Sequence, residues 1–365
     1  MRNLLAPVLL LCAAPAPISD QQSISAVIPQ GDISAAQWTA ILKAARAGST
    51  IDLGTRRVTF ERFKGLANVT IKGGVFGAIT LDQWRNVTFS GTRFEPFPGD
   101  DPRGPFIIAY DPDGLHFNHT KWSGTTTPDN QLAFSSLSIR GGNNVVVSHS
   151  SFRDMANFMA FLRTTNVQVT DNDFSNIREG VQLVGTSNAL VARNSFGPYR
   201  PAPGDHADAI QLFTAGLKQP DDHGARDVVI ENNLVDPGVG QRTQGIFIRD
   251  EANLHAAGRG YSNIMIRNNL LVGTGWHGIS AVDPVERLTI ENNRLFIRHG
   301  PDKVTDNWIM VEAGGGIVRN NTAGSFLLNK HVQAQSNKAG RRPAKPADIQ
   351  QAEAVWHATV ARPAN

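Results

Sequence analysis

The chain reads as an all-β solenoid, a rod wound from short parallel rungs. Two repeating patterns and a turn-rich composition predict it. The first pattern is apolar–x–apolar–x–x–Asn–x–apolar. It appears as Val167-Gln-Val-Thr-Asp-Asn172-Asp-Phe174 and returns around Asn194, Asn233, Asn269, Asn293 and Asn321. Copies without the Asn lie at 69–71, 87–89 and 145–152, which makes nine. From Ser150 to Asn172 to Asn194 the step is 22 residues each time, and later steps are 39, 36, 24 and 28. A fixed core with variable additions is one coil carrying loops of different length. The second pattern is a strand after each Asn turn, at 180–183, 209–212, 245–248, 278–281 and 308–311. With 34 Gly and frequent Asn pairs, the 365 residues are well supplied with turns.

Strands this short cannot pair within one coil. Each pairs with its counterpart in the next coil, about 4.8 Å away. With these rungs and Asn turns, residues 48–335 resemble the right-handed parallel β-helix of the pectin-lyase-like superfamily. The resemblance implies a single-stranded right-handed parallel β-helix and a carbohydrate-active protein.

Taken in order, residues 1–20 read as a secretory signal. Arg2 precedes an apolar run at 4–11 that is too short to span a bilayer. The single cysteine, Cys12, falls inside it, so the exported chain would form no disulfide. A secreted or periplasmic location with no transmembrane segment is expected. Residues 30–47 read as an N-terminal capping helix. Ser34 and Gln37 have capping-box spacing, and Trp38, Ile41, Leu42 and Ala45 form an apolar stripe. Residues 48–335 form the solenoid, with 95–138 as its longest loop. The Asn residues are corners that tolerate left-handed turns and stack their amides from coil to coil. Phe152, Phe174 and Phe196 read as a stacked core column, whereas Trp38, Trp84, Trp122 and Trp356 share no spacing. Residues 336–365 read as a basic tail and a short C-terminal helix at about 347–360, packed back through Ile349, Val355 and Trp356.

Charged residues are 18 % of the chain, with net charge +3 and a pI near 9.1. This mild basic balance admits an acidic partner and gives no argument for nucleic acid. A monomer is expected.

Long additions flank the second strand, at 197–207 and 214–225 among others, while the Asn corner stays bare. The second sheet is then a groove floor walled by loops, a shape that fits a linear polymer. Alternation puts Gln182, Gln211 and Phe247 outward in one column, and Phe213, Arg249 and Glu312 in the next. Glu179, Asp208, Gln244 and His277 stand at the turn entering the strand. Glu179 and Asp208 hold equal positions in neighbouring coils, close enough to share a proton or hold a cation. Ca2+ is the one cofactor this admits; otherwise none is expected. Each residue also has a structural role open to it. Asp208 can cap its turn, Arg249 can pair with Asp250, Asp283 or Glu312, and Gln182 and Gln211 can form an amide ladder.

The segment Gly204-Asp-His206-Ala-Asp208 resembles the Asn-Thr-Asp-Gly turn of polygalacturonase-like hydrolases. Gly275-Trp-His277-Gly278-Ile-Ser280 resembles their Gly-His-Gly-x-Ser segment. The coil between them carries Gln244-Gly-Ile-Phe-Ile-Arg249-Asp250-Glu251 where those enzymes have paired Asp residues. That departure points away from a plain hydrolase.

The expected activity is a lyase or C5-epimerase on an acidic, uronate-containing polysaccharide. Such chemistry needs a cation for the carboxylate, a base for the C5 proton and an acid for the leaving oxygen. Arg249 is the expected cation, His277 or His206 the base, and Asp208 the group that orients a histidine. Glu179, Gln182, Gln211, Gln244, Phe247, Phe213 and Glu312 are expected to bind the chain. One alternative is a glycoside hydrolase using Glu179 with Asp208. The other is a non-catalytic glycan-binding or cell-surface β-helix.

Overall fold

The computed structural model describes residues 28–60, 62–238, 243–273, 277–298, 307–340 and 342–360. The expected signal segment at 1–20, Gly275 and Trp276 lie outside them. Within them the chain is a parallel β-helix with one α-helix near each end, as expected. Thr165–Thr170 pairs in register with Asn143–Ser148 on one side and Ser187–Ala192 on the other. The same parallel pairing recurs down the rod and builds a 22-stranded and a 12-stranded sheet. The larger sheet holds two ladders that meet at the Asn corner. One contains the strands before the corner, and the other the short strands after it, such as Ser151–Arg153 on Asp173–Ser175. The smaller sheet is the ladder of second strands. Each coil is a crossover between parallel strands, which right-twisted strands close with a right hand.

Three rungs escape the sequence pattern, those through Thr50–Val58, Asp113–Asn118 and Val332–Gln335. The second of these corrects the reading of 95–138 as a loop. Pro105–Tyr110, Asp113–Asn118 and Lys121–Ser123 pair with the next coil as a complete rung. Thr120 stands where later rungs have Asn, hydrogen-bonded to Ser150 Oγ at 2.8 Å. Trp122 takes the Phe position, the one tryptophan of the four to enter that column. Phe94, Trp122, Phe152, Phe174 and Phe196 stack in one column, with centroids 3.9, 5.4, 4.7 and 4.7 Å apart. A rung needs a buried polar side chain at the corner and an apolar one behind it. Thr with Trp serves as well as Asn with Phe, and the later Asn rungs carry Val235, Leu271 and Leu295 in place of the ring.

The Asn corner divides its work between two neighbours. Asp171, Arg193, Asn232 and Asn268 take left-handed backbone, with φ of 60°, 56°, 54° and 56°. The residue after each is buried and forms the ladder. Asn194 Oδ1 accepts from both the backbone N and Nδ2 of Asn172 at 3.0 Å, while Asn172 Nδ2 also donates to Val147 O. Buried amides repeated this way leave no orphaned polar atom.

Helix α1 (Ala35–Ala44) starts with the expected capping box of Ser34 and Gln37 and buries Trp38, Ile41 and Leu42. Trp38 meets Phe60 and Phe76 edge-on at 6.3 and 5.7 Å. Helix α2 (Pro346–Val360) buries Ile349, Ala352 and Trp356. Val355 is 53 % exposed, against expectation, because the helical period carries the apolar stripe through position 352 instead. The helix rests on Leu234, Leu270 and Val272, and Trp356 Nε1 donates to Asn232 O at 2.9 Å. The Asn corner is therefore partly covered rather than bare. The basic segment before the helix is partly ordered into the solenoid, since Lys338–Ala339 pairs with Thr322–Ala323 beyond the expected end at 335. Among the described residues no helix is long and apolar enough to cross a membrane.

Candidate functional site

The floor is built from Val181–Val184, Ala207–Phe213, Thr243–Arg249, His277–Ala281 and Trp308–Val311. Their register aligns Gln182, Gln211, Phe247, Ser280 and Met310 in one column. The residues at the strand entrance face the same side. Glu179 Oε2 accepts from Gln182 Nε2 at 3.0 Å, His277 Nδ1 lies 2.7 Å from Ser280 Oγ, and the rings of His277 and Phe247 are 5.3 Å apart.

Strict alternation would forbid two polar columns so close together. Small residues between them allow it. A Cβ on Gly180 would lie 2.1 Å from Ala209 O, on Gly245 2.2 Å from Gly278 O, and on Gly278 2.1 Å from Asn307 Oδ1. The next coil approaches so closely at these positions that no side chain fits, which leaves Glu179, Gln244 and His277 beside the floor.

Five unpartnered atoms mark this place. Among the described residues, six buried side-chain polar atoms have no hydrogen-bond partner. All but Trp38 Nε1 belong here: Gln182 Oε1, Tyr199 Oη, Asp208 Oδ1, Thr243 Oγ1 and Gln244 Oε1. Tyr199 bridges to Ile177, two residues before Glu179, and Thr243 pairs with Ala207 beside Asp208. All five atoms are oxygens. Burying an unsatisfied polar atom costs about 1–3 kcal/mol, so such a concentration calls for a ligand or ordered water.

The carboxylates here are held toward their neutral forms. Burial pushes Asp208 well above the usual carboxylate range, and the charge of Glu179 adds to it. Burial also raises Glu179, against the pull of Arg178. Burial followed by the charges of Asp208 and Glu179 drives the Tyr199 phenol far upward. Among the described residues no group of three or more His, Cys, Asp or Glu converges on a metal position.

His277 is a neutral imidazole. Burial lowers its pKa, and the nearby His206 lowers it further. Trp308 Nε1 donates to its Nδ1 at 3.1 Å. His206 is exposed on the loop before the strand, with Gln244 Nε2 3.5 Å from its Nδ1. That loop is pinned by Arg178, which meets both oxygens of Asp205 at 2.5 and 2.7 Å. The side chain of Asp208 makes no hydrogen bond to either histidine among the described residues, so it does not orient them as expected.

Arg249 is exposed one strand position pair beyond Phe247. Two of the acids expected to pair with it, Asp250 and Asp283, are engaged elsewhere. Asp250 accepts from Thr214 Oγ1 at 2.7 Å and from the backbone N of His255 at 2.8 Å, and Asp283 Oδ2 accepts from Asp250 N at 2.7 Å. The guanidinium is left facing solvent above the floor.

The structure thus gathers Glu179, Gln182, Gln211, Asp208, Gln244, Phe247, His206 and His277, with Arg249 along the same strand. Phe213 packs instead against an apolar cluster of Val184, Leu217 and Leu254 under the flanking loops. Glu312 is exposed beyond Val282, outside the unpartnered cluster. Tyr199, Thr243 and Trp308 belong to the site although the sequence reading did not assign them there. Tyr199 sits outside the repeat, where no spacing marks it. Trp308 was legible only as a strand residue.

No family model matches the chain, and no curated protein matches its sequence. Solved structures similar to it include PfbA, a surface adhesin of Streptococcus pneumoniae, at 15 % identity over 82 % of each chain with a TM-score of 0.48. An alginate lyase from a Paenibacillus species matches at 13 % identity, over 85 % of this chain and 98 % of that one, with a TM-score of 0.45. The periplasmic alginate epimerase AlgG matches at 10 % identity, over 85 % and 84 %, with a TM-score of 0.44. The β-helix assignment rests on the strand ladders themselves.

Proposed function

We propose that the protein is an exported enzyme acting on an acidic, uronate-containing polysaccharide, with β-elimination favoured over C5 epimerisation. The observation that carries this is the cluster of five buried oxygens without hydrogen-bond partners on three adjoining coils, with an exposed guanidinium farther along the floor. Amide and carboxyl oxygens that accept, beside two hydroxyls that also donate, suit a ligand rich in hydroxyls, which is what a sugar chain offers. Arg249 adds a counter-charge for a carboxylate. The partly exposed Phe247 offers a ring face beside His277.

In this reading Arg249 neutralises the uronate carboxylate, which acidifies the C5 proton. His206, exposed at the groove edge, removes that proton. The electron pair forms the C4–C5 double bond as the C4–O bond breaks. His277 Nε2–H hydrogen-bonds the leaving oxygen and stabilises its charge, and the oxygen takes its proton from water as it departs. Returning a proton to C5 from the opposite face instead would give the epimer. Gln182, Gln211, Gln244 and neutral Asp208 hold the hydroxyls. Export rests on residues 1–20.

Glycoside hydrolysis is the second reading, supported by Glu179 and Asp208, which occupy neighbouring coils, with the Asp208 carboxyl pushed up by burial and then by the charge of Glu179. Incubation with a panel of polyuronates separates the two. Unsaturated products or epimerised residues are expected. New reducing ends without unsaturation would transfer the chemistry to Glu179 and Asp208, and retention of an unchanged glycan would leave a binding protein.

A further inference from the structure

Away from the groove, a cleft of about 680 Å3 runs between the Asn corner of consecutive rungs and the end of α2. His119 and His149 occupy the same corner position in neighbouring rungs. Their rings are parallel within 9° and 5.1 Å apart, and both are exposed. Lys121 beside them is exposed, and His357 enters from α2. The acids of the cleft are already matched. Arg193 meets both oxygens of Asp171 at 2.7 Å, and Arg153 stands 3.5 Å from Asp173. What remains is the His119–His149 pair, one coil step of about 4.8 Å apart, with Lys121 and His357 beside it.

We propose that this cleft is a second binding site, which takes an acidic polysaccharide chain outside the groove. Two donors one coil apart, with Lys121 and His357 beside them, suit a polymer that brings more than one carboxylate, and a single small anion would use only one of them. The choice of a uronate chain rests on the proposed function; the cationic cleft does not. Facing the two imidazoles are Lys121, Asp171, Asp173 and Arg193 on the solenoid and His357 on α2. A protonated imidazole donates from both nitrogens and carries charge, so binding strengthens as the pH falls.

The test is the double variant His119→Asn with His149→Asn. Both positions have left-handed backbone, φ 54° and 51°, and Asn already holds that conformation at Asn232 and Asn268. The fold should survive, which circular dichroism would verify. Affinity for a labelled oligouronate is measured at about pH 5.5 and about pH 7.5, the span over which histidine side chains in general change charge. The wild type should bind more tightly at the lower pH, and the variant should lose about tenfold there. Turnover of a short oligouronate in the groove should not change. Equal binding by the two proteins at both values would overturn the cleft, whatever the groove does. Histidine-dependent binding without turnover would leave the cleft standing and remove the groove's chemistry. Equally tight retention of duplex DNA would overturn the choice of a polyuronate.

Discussion

Trp308 Nε1 donates to His277 Nδ1 at 3.1 Å, and this bond fixes where the imidazole carries its proton. An indole N–H can only donate, so Nδ1 must present its lone pair. Ser280 Oγ, 2.7 Å from the same nitrogen, then donates as well. The proton of the neutral ring stands on Nε2. His277 is thereby a donor toward the groove, and the base has to be sought elsewhere, at His206.

Replacing Trp308 with Phe keeps the ring and removes the donor. The Nε2–H tautomer should lose its preference, visible as a shift in the imidazole nitrogen resonances. Turnover on polyuronate should fall by about 10–100-fold, a part of what a donor to a developing oxyanion contributes. An unchanged nitrogen spectrum would remove the tautomer argument.

Arg249 is exposed and the neighbouring Asp250 and Asp283 are occupied, so its loss should leave the fold intact. Arg249→Ala should lower kcat/KM on an acidic polymer by about 10²–10³, the range seen when one transition-state charge partner is removed. Arg249→Lys should recover part of it. If the Ala variant keeps full activity on a polyuronate, the carboxylate is held by another group.

Asp208 is pushed up by burial and by Glu179, so its folded-state pKa lies above its unfolded value. The stability it contributes is complete below the unfolded value and is lost as the pH rises through the raised folded value. Asp208→Asn removes that loss. The variant should melt higher than the wild type at alkaline pH, with the two converging in acid. It should retain most eliminase turnover, since Asn keeps an acceptor oxygen. Complete loss of activity with a normal fold would favour the hydrolase.

The Asn ladder gives a contrast between adjacent residues. Asn233 is fully buried. It accepts from Asn194 N and Nδ2 at 3.0 Å and donates to Val191 O at 2.9 Å. Asn233→Ala should cost about 2–5 kcal/mol by orphaning these partners. Asn232→Ala should cost about 1–2 kcal/mol, the penalty of a left-handed residue that is not Gly or Asn. Urea midpoints of the two variants would rank them, and a reversed order would show that the ladder is not what holds the corner.

Much of the site could be read without coordinates because the rungs repeat. Alternation and equal spacing already align Gln182, Gln211 and Phe247, and put Glu179 beside Asp208. Hydrogen bonding could not be read in the same way. Asp208 could have oriented a histidine and Arg249 could have been matched by Asp250, and both turn out otherwise because loops of unrelated length supply the partners. Thr214 and His255 take up Asp250, and the loop bearing Asp205 is pinned by Arg178. Phe213 faces outward as alternation requires, yet Leu217 and Leu254 cover it.

Periodicity alone determined the parallel solenoid, the stacked Asn and Phe columns and the identity of the floor, since each coil must match the one below it to satisfy its backbone. Only the tertiary structure decided that 95–138 winds as a rung, that α2 lies across the Asn corner, and that five oxygens meet without partners near Tyr199. Those outcomes depend on residues far apart in the chain meeting at one place, and no local spacing records such meetings.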